Sequence, residues 1–386
     1  MRHVPVDGSP AAAGALLAAL RAALTGSGPP VLPLPAGKDR LLAELAPGEP
    51  VEPGTALVVA TSGSTGSAKG VVLSAAALST SASATHERLG GPGRWLLALP
   101  AGHIAGVQVL VRSVLAGTEP VLLDLSAGFD AAAFAAAAAG MTGRPRYTAL
   151  VPTQLGRLLA GAGGPALRSF DAVLLGGAPA PAGLLDRARA AGVAVVTTYG
   201  MTETAGGCVY AGVPLAGAAV RIGPDGLVQL AGPMLATGYR LRPVETAAAF
   251  ACGWFRTSDL GRLRPDGTLE VLGRADDLIN TGGLKVAPGA VERVLAAQPG
   301  VAEACVVGLP DPEWGQRVVA AVVCSAECGP GGGPGGGTGR PDPAALCAAV
   351  RAELGPAAVP KAIRFVDRLP LRGPGKVDRE AVAASF

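Results

Sequence analysis

The sequence has few of the residues on which metal sites, disulfide frameworks and base-stacking surfaces depend. Its 386 residues include three histidines, six cysteines and 4% aromatic residues. His3, His86 and His103 are far apart, and the cysteines form no C-x-x-C pair. We therefore expect free thiols in a reducing cytosol rather than a zinc site or disulfides. With so few aromatic rings, we expect no stacking surface for single-stranded nucleic acid.

Strong charge and membrane-length apolar runs are also missing. The net charge is +3 and residues of both signs are mixed, so the sequence shows no basic patch for binding nucleic acid. The apolar run Ala11–Leu20 lies between Asp7 and Arg21, and Ser9 and Pro10 resemble the start of an ordinary helix. We therefore predict neither a signal peptide nor a membrane span, and a cytoplasmic protein.

What the sequence does contain is an alternation of apolar strands and helices. Hydrophobic residues make up 49% of the chain, and its length suits two domains. Strand-like segments read ALVVA, WLLAL, PVLLD, YTALV, DAVLL and VAVVT, and helical segments such as IAGVQVLVRSVLAG separate several of them. Continuous apolar strands between helices indicate an α/β fold with mostly parallel sheets flanked by helices. Ligands of such folds bind at the carboxyl ends of strands.

The pattern of strand-like and helical segments changes after about Gly206. Turns at Pro224–Gly226 and Pro265–Gly267 separate β-like segments and indicate a β subdomain. From Arg274, two helical and two strand segments predict a small α+β domain, so we place the domains at 1–273 and 274–386. The glycine-rich segment 329–339 is read as a flexible insertion without chemistry.

The stretch TSGSTGSAKG, Thr61–Gly70, directly follows the strand ALVVA. Small residues there expose backbone N–H groups and hydroxyls, and Lys69 adds a positive charge, a combination that binds phosphate. The glycine spacing differs from that of the P-loop of nucleotide triphosphatases. A serine-rich linker is the alternative. We expect the loop to share a sheet edge with the later motifs.

Four further segments carry candidate groups. TTYGMTET, Thr197–Thr204, follows the strand VAVVT and offers the ring of Tyr199, the hydroxyl of Thr202 and the carboxylate of Glu203, which is suited to Mg²⁺. The alternative is that Thr202 and Glu203 only form a helix N-cap. GGAPAP follows a third strand, where glycine lets a planar base approach or merely makes a turn. FRTSD, Phe255–Asp259, is expected to end a β segment, and Asp259 could then bind the hydroxyls of a ribose. The alternative is that Asp259 is an ordinary surface aspartate. Lys376 lies in a glycine-rich stretch that suits bringing a positive charge to a reacting phosphate. The alternative is that Lys376 is simply a solvent-exposed lysine.

Together these stretches resemble the adenylate-forming enzymes, the family of acyl-CoA synthetases, luciferases and peptide-synthetase adenylation domains. The resemblance rests on TSGSTGSAKG, TYGMTET, FRTSD, GRADDLINTGGLKV and LPLRGPGKVDR, which occur in the family's order from Thr61 onwards. LPAGHIAGVQVLVRSVLAG and LVPTQLGRLL are most similar to the short o-succinylbenzoate–CoA ligase subfamily. Most members of the whole family have a longer segment before the glycine-rich loop.

The resemblance implies two half-reactions and three small molecules. A carboxylate attacks the α-phosphate of ATP with Mg²⁺ present, and the thiol of coenzyme A then displaces AMP. Other acids, a carrier protein as thiol donor, and a non-catalytic adenylate-binding homologue remain alternatives. A P-loop hydrolase is disfavoured by the glycine spacing. Relatives often form homodimers, and no nucleic-acid partner is implied.

The resemblance also assigns residues. Those implied to bind ATP are Thr61, Ser62, Gly63, Ser64, Thr65, Gly66 and Lys69 on the outer phosphates, Gly177, Ala178 and Tyr199 on adenine, Thr202 on the α-phosphate, and Asp259 with Arg274 on ribose. Glu203 is implied to hold Mg²⁺. Lys376 is implied to bridge the attacking carboxylate and the α-phosphate. Asp276 matches a hinge that joins the two domains, and Gly282 and Gly283 a tunnel for the pantetheine arm.

The acid side of the site is less well marked. His103 precedes a helix after the strand WLLAL, where the family places a residue near the acyl group; a helix-capping histidine is the alternative. Gly206 and Gly207 are candidates for the pocket wall. Arg112 lies too far along the same helix for the sequence to assign it a role.

Overall fold

A computed structural model describes residues 1–61, 68–161, 163–180, 182–325, 340–372 and 376–386, without the side chains of Ala182, Arg372 and Lys376. The strands of the amino-terminal part are β1 Arg2–Pro5, β2 Val31–Leu34, β3 Thr55–Thr61, β4 Lys69–Ser74, β5 Arg94–Leu97, β6 Val121–Leu122, β7 Arg146–Leu150, β8 Ala172–Leu175, β9 Val195–Met201, β10 Gly206–Tyr210, β11 Val213–Pro214, β12 Ala219–Ile222, β13 Leu227–Ala231, β14 Gly238–Tyr239, β15 Phe250–Ala251, β16 Trp254–Leu263 and β17 Leu269–Arg274. Its helices are α1 Pro10–Leu24, α2 Asp39–Glu44, α3 Ala75–Leu89, α4 Ile104–Leu115, α5 Ala131–Ala139, α6 Pro152–Ala160, α7 Gly164–Leu167, α8 Ala182–Ala190 and α9 Pro243–Ala249, and a 3₁₀ turn spans Thr202–Thr204.

The carboxy-terminal part is smaller and begins after β17. Its strands are β18 Ile279–Thr281, β19 Leu284–Val286, β20 Val301–Asp311, β21 Gly315–Cys324, β22 Ala362–Val366, β23 Leu371–Arg372 and β24 Lys376–Val377. Its helices are α10 Pro288–Ala296, α11 Pro343–Leu354 and α12 Arg379–Ala384, with a 3₁₀ turn at Pro356–Ala358.

Two sheets with helices around them, together with a β subdomain, form the amino-terminal part. One has the order β11-β10-β9-β8-β7-β5-β6, and its strands from β6 to β9 are parallel. The other has the order β1-β2-β3-β4-β14. The predicted α/β class is confirmed. The expectation that the glycine-rich loop shares a sheet edge with the later motifs is wrong, because β3 belongs to the second sheet.

Helices cover both faces of the seven-stranded sheet. On one face, α1, α3 and α4 form a core with both sheets through residues such as Leu16, Leu78 and Leu110. On the other face, α5, α6 and α8 bury Phe134 and Leu155 among others. The helix starts follow local chemistry, since the Oγ of Ser9 caps α1 and Pro10 occupies its first turn.

The β subdomain has the order β12-β13-β16-β15, with β17 paired to β16. Both predicted Pro-Asp-Gly turns connect neighbouring antiparallel strands, β12 to β13 and β16 to β17. The expectation that FRTSD ends a β segment is wrong. Strand β16 continues to Leu263 because a register shift between Leu260 and Gly261 absorbs the irregularity without ending the pairing.

The carboxy-terminal part is the α+β unit that the sequence predicts. Its sheet has the order β19-β18-β21-β20, and β22 adds to β21 in parallel. Helix α10 contacts β17, and Arg293 of that helix forms a 2.8 Å ion pair with Glu270. The segment 329–339 lies outside the described residues. Among the described helices, none is both long and apolar enough to cross a membrane.

Arg240 connects the end of β14 to the loop before β3. Its guanidinium donates to the carbonyl oxygens of Leu45, Ala46, Glu49 and Pro50, and the residue is 4% exposed. Removing it leaves several carbonyl groups without their donor, and such losses add up.

We expect Arg240→Ala to lower the thermal midpoint by about 4 °C or more. Arg242→Ala, which removes a half-exposed ion pair with Glu245, is the control and should change it little. Differential scanning fluorimetry measures both. Equal midpoints for the two variants would contradict this role for Arg240.

Candidate active site

The glycine-rich loop begins and ends on paired strands. Thr61 closes β3 and Lys69 opens β4, and the two are antiparallel partners. The Oγ1 of Thr61 also donates to the Lys69 carbonyl oxygen at 3.3 Å. Strand β4, which the sequence analysis missed, therefore makes this segment a hairpin. The predicted phosphate-binding residues Ser62, Gly63, Ser64, Thr65 and Gly66 lie outside the described residues.

Lys69 and Glu203 meet through a tyrosine that the sequence analysis did not single out. The Nζ of Lys69 is 4.8 Å from the centroid of the Tyr239 ring. The Tyr239 hydroxyl donates to Glu203 Oε1 at 2.9 Å. Burial and the neighbouring carboxylate raise the pKa of Tyr239, so the hydroxyl keeps its proton and remains a donor. β14 pairs with β4, which is how a residue from late in the chain reaches this place.

The turn that carries Thr202 and Glu203 is tightly held. Strand β9 continues to Met201, beyond the predicted VAVVT segment, and the turn follows at once. The Ala236 N–H donates to the Glu203 carbonyl oxygen at 2.8 Å. Thr202 is 8% exposed, whereas Glu203 is half-buried. The turn therefore fixes the backbone while leaving the carboxylate access to solvent.

The residues predicted for adenine and ribose are bonded to one another. The Tyr199 hydroxyl donates to Asp259 Oδ2 at 2.8 Å, and an Arg274 guanidinium nitrogen is 3.8 Å from Asp259 Oδ1. Burial raises the pKa of Asp259, while the Tyr199 hydrogen bond and Arg274 oppose this shift. Arg274 also bonds to Asp276 at 2.8 Å. A network therefore runs from the end of β9 to the predicted hinge.

Gly177 and Ala178 reach the same sheet edge as Tyr199. They follow β8, which is parallel to β9 with Leu175 opposite Thr197. The backbone of Gly177 has a positive φ of 82°, which turns the chain out of the sheet. The geometry thus brings the predicted adenine residues to neighbouring strand ends.

The predicted acid-binding residues lie where α4 meets β10. His103 is exposed and occupies the N-cap position of α4, but its side chain makes no capping hydrogen bond to the described backbone. Gly206 has a φ of 96°, and a Cβ there would lie 3.2 Å from Cγ of Gln108. Gly207 follows it on β10 beside a small pocket. Glycine at 206 thus lets the strand pack closely on α4.

Two predicted groups belong to the carboxy-terminal part. The backbone of Lys376 opens β24 opposite Arg372, but its side chain lies outside what the structure describes. Gly282 and Gly283 form the turn between β18 and β19. A Cβ on Gly282 would lie 2.8 Å from the Trp314 ring, so this turn packs directly on an indole.

A buried polar cluster behind β10 went unrecognised in the sequence. Arg112 is 3% exposed, donates to the Tyr210 hydroxyl at 3.3 Å and lies 5.0 Å from the Trp95 ring. Within the described residues its guanidinium has no carboxylate partner. Burial, and secondarily Arg112, lowers the pKa of His86 to about 4, so this histidine is neutral. The sequence signal that could have identified this cluster is a pair of polar residues four apart on each of two helices: Ser81 and Thr85 on α3, and Gln108 and Arg112 on α4.

The donor set at Glu203 suits Mg²⁺. Mg²⁺ is typically held by one or two carboxylates together with substrate phosphates and water. Glu203 Oε1 is oriented by Tyr239, and Lys69 supplies positive charge nearby for phosphate. Among the described residues there is no group of three or more metal-ligating side chains. One oriented carboxylate beside an ammonium group fits a metal that arrives bound to the phosphates of a nucleotide.

Asp259 gives a prediction in which stability and binding move in opposite directions. A carboxyl whose folded-state pKa is raised stabilises the fold in its protonated form, and this contribution is lost as the pH rises through that pKa. At neutral pH the ionised group therefore weakens the fold. We expect Asp259→Asn to keep or raise the thermal midpoint while weakening ATP binding by about tenfold to hundredfold.

Asp225→Asn is the control for this variant. The Asp225 carboxyl is exposed, and Arg256 and nearby hydrogen bonds lower its pKa. Its replacement should leave ATP binding unchanged and should not raise the midpoint. Calorimetric ATP titration and thermal unfolding at neutral pH test both variants; a large fall in the Asp259→Asn midpoint would contradict the account.

Residues 14–239 match the model of the AMP-binding enzyme family, and residues 290–376 match that of the AMP-binding enzyme C-terminal domain. A probable 2-succinylbenzoate–CoA ligase of Mycobacterium tuberculosis (strain ATCC 25618 / H37Rv) is 48% identical over 100% of this chain and 97% of its own length. The 2-succinylbenzoate–CoA ligase of Geobacillus kaustophilus (strain HTA426) is 36% identical over 84% of this chain and 68% of its own.

Two solved structures share the fold. The o-succinylbenzoate CoA synthetase MenE from Bacillus subtilis, in complex with the acyl-adenylate intermediate OSB-AMP, has a TM-score of 0.71 and 29% identity over 95% of this chain and 80% of its own. The amide bond synthetase McbA from Marinactinospora thermotolerans has a TM-score of 0.76 and 28% identity over 99% and 84%.

Proposed function

Because this chain belongs to the AMP-binding enzyme family, we propose that it converts 2-succinylbenzoate, ATP and coenzyme A into 2-succinylbenzoyl-CoA, AMP and diphosphate. The acid is proposed from the names of the relatives from Mycobacterium tuberculosis and Geobacillus kaustophilus. ATP and coenzyme A are cytosolic compounds, so we place the reaction in the cytoplasm. A homodimer is proposed from the resemblance alone, and size-exclusion chromatography with light scattering tests it.

In the first step a carboxylate oxygen of the acid attacks the α-phosphorus of ATP. A bond forms between that oxygen and phosphorus, the bond to the β-phosphate oxygen breaks, and diphosphate leaves. We assign Thr202 to the α-phosphate, Lys69 and the glycine-rich loop to the outer phosphates, and Lys376 to the attacking carboxylate and the α-phosphate. Mg²⁺, held by Glu203, would neutralise phosphate charge when bound. The catalysis consists of positioning and of balancing developing negative charge.

In the second step the thiolate of coenzyme A attacks the acyl carbon. A carbon–sulfur bond forms, the bond between the acyl carbon and the phosphate oxygen breaks, and AMP leaves with that oxygen. We propose that rotation at Asp276 withdraws Lys376 and brings Gly282 and Gly283 to the site as part of a tunnel for the pantetheine arm. His103, Gly206 and Gly207 are proposed to contact the acid.

One observation supports this proposal more than any other. Two series of contacting side chains connect predicted nucleotide-binding residues from different elements: Lys69–Tyr239–Glu203 and Tyr199–Asp259–Arg274. The first holds a carboxylate and an ammonium together, as a metal–phosphate group requires. The second holds a ring and a carboxylate together, as a nucleoside requires. Apart from Tyr239, the members of each series were predicted from different motifs.

Thioester formation from a panel of acids tests the function. The protein is incubated with ATP, Mg²⁺ and coenzyme A, together with 2-succinylbenzoate, benzoate or an aliphatic acid, and products are identified by mass spectrometry. We expect 2-succinylbenzoyl-CoA and equimolar AMP, and little product from the other acids. Preference for another acid would replace the substrate but keep the reaction.

Other outcomes separate the remaining alternatives. Diphosphate release without a thioester would point to a carrier protein as the thiol donor. Binding of ATP without diphosphate release for any acid would indicate a non-catalytic homologue. Formation of ADP without added acid would indicate a hydrolase.

A further inference from the structure

The carbonyl oxygen of Ala205 accepts two side-chain hydrogen bonds from two different helices. The Oγ of Ser81 on α3 donates to it at 3.0 Å, and the Nε2 of Gln108 on α4 donates at 2.7 Å. All three residues are buried: Ala205 is 0% exposed, Gln108 0% and Ser81 3%. In sequence the donors lie 124 and 97 residues away from Ala205. We call this arrangement the Ala205 clamp.

The clamp acts on an unusual point of the backbone. Ala205 ends the Thr202–Thr204 turn with φ 50° and ψ 37°, a left-handed conformation that residues with a Cβ disfavour. A strained residue persists only when its surroundings hold it. The Thr204 side chain adds a further bond, to the Gly206 carbonyl oxygen at 2.7 Å. The backbone after Glu203 is therefore fixed from several directions.

Packing alone does not account for the glutamine. The Oε1 of Gln108 is buried and has no hydrogen-bond partner among the described residues, which is unfavourable. An apolar side chain of similar length would avoid this cost, and most other buried residues of α4 are apolar, with Arg112 and Ser113 as the exceptions. What the amide supplies here is its donation to Ala205.

We propose that Ser81 and Gln108 are positioning residues that, through the Ala205 carbonyl, hold the turn presenting Thr202 and Glu203 to the magnesium–ATP complex. This inference rests on the proposed function. Neither residue touches the nucleotide groups; each acts on the backbone two residues after Glu203. Both also touch the proposed acid side, since Ser81 lines the pocket beside Gly207 and Gln108 packs against Gly206. The clamp thus connects the helices of the acid side to the metal-binding turn.

Ser81→Ala, Gln108→Met and the double variant test the proposal. Ser113→Ala is the matched control, because Ser113 is equally buried but donates to Val109 within its own helix. The readout is the dissociation constant of ATP measured by calorimetry with and without Mg²⁺, in the absence of acid. The ratio of the two constants reports how well Glu203 is placed, independently of turnover. Thermal midpoints are measured alongside.

We expect the gain in ATP affinity on adding Mg²⁺ to shrink by about threefold to tenfold in each single variant, and further in the double variant. Ser113→Ala should keep the wild-type gain. A double variant with the wild-type gain would overturn the proposal, and so would a lowered midpoint with an unchanged gain, which is what a purely structural role predicts. If the wild-type protein itself gains nothing from Mg²⁺, the assignment of Glu203 in the proposed function fails, and the clamp proposal fails with it.

Discussion

Lys376→Ala is expected to lose adenylate formation by about a hundredfold to a thousandfold while still converting a supplied acyl-adenylate to thioester at near the wild-type rate. The lysine is proposed to balance charge between the incoming carboxylate and the α-phosphate, and this charge develops only in the first step. The second step displaces AMP with a thiol and is proposed to occur with Lys376 withdrawn. Removing the ammonium group therefore separates the two half-reactions.

The half-reactions are measured independently. Exchange of labelled diphosphate into ATP reports the first, and thioester release from synthetic acyl-adenylate plus coenzyme A reports the second. Lys38→Ala, at an exposed lysine before α2, serves as the control and should change neither. An equal loss in both half-reactions for Lys376→Ala would contradict the model with two positions of the carboxy-terminal part.

Glu203→Gln is expected to reduce adenylate formation by about a hundredfold and to remove most of the benefit of Mg²⁺. The amide has the same shape and can still accept from the Tyr239 hydroxyl, so the turn should keep its structure. Only the negative charge that suits the metal is lost. Diphosphate exchange over a range of Mg²⁺ concentrations measures the effect.

Tyr239→Phe provides the graded comparison for Glu203→Gln. It removes only the hydroxyl that orients Glu203, so we expect a loss of about threefold to tenfold with Mg²⁺ dependence retained. If Tyr239→Phe were as damaging as Glu203→Gln, the tyrosine itself would have to act on the nucleotide. If neither variant changed the response to Mg²⁺, Glu203 would not be the metal-binding residue.

Local patterns were sufficient to predict many of the elements. The serine before α1 and the proline at its start, the apolar faces of α4 and α10, and the continuous apolar runs of β7 and β8 are local signals, and each element is found. Strand β4 was missed because it follows the glycine-rich loop at once and α3 follows it without a turn. The end of β16 was misjudged because a register shift does not interrupt pairing.

The contacts that assemble the site could not be read from local patterns. Tyr239 bonds to Glu203 across 36 residues, and Tyr199 bonds to Asp259 across 60. Motif resemblance named most of the participants, but it did not show that β3 and β9 belong to different sheets. Nor did it reveal the donors to Ala205, whose helices come from the first third of the chain. Such contacts depend on how the two sheets pack around α3 and α4.

Transfer of oxygen-18 from the acid to AMP tests the central claim most directly. The acid is prepared with both oxygens of its reacting carboxylate labelled, and one complete turnover with ATP and coenzyme A is analysed by mass spectrometry. If the carboxylate attacks the α-phosphorus, each AMP carries one labelled oxygen and the thioester keeps the other. Unlabelled AMP, or ADP in its place, would show that the acid is not activated as an adenylate and would contradict the account.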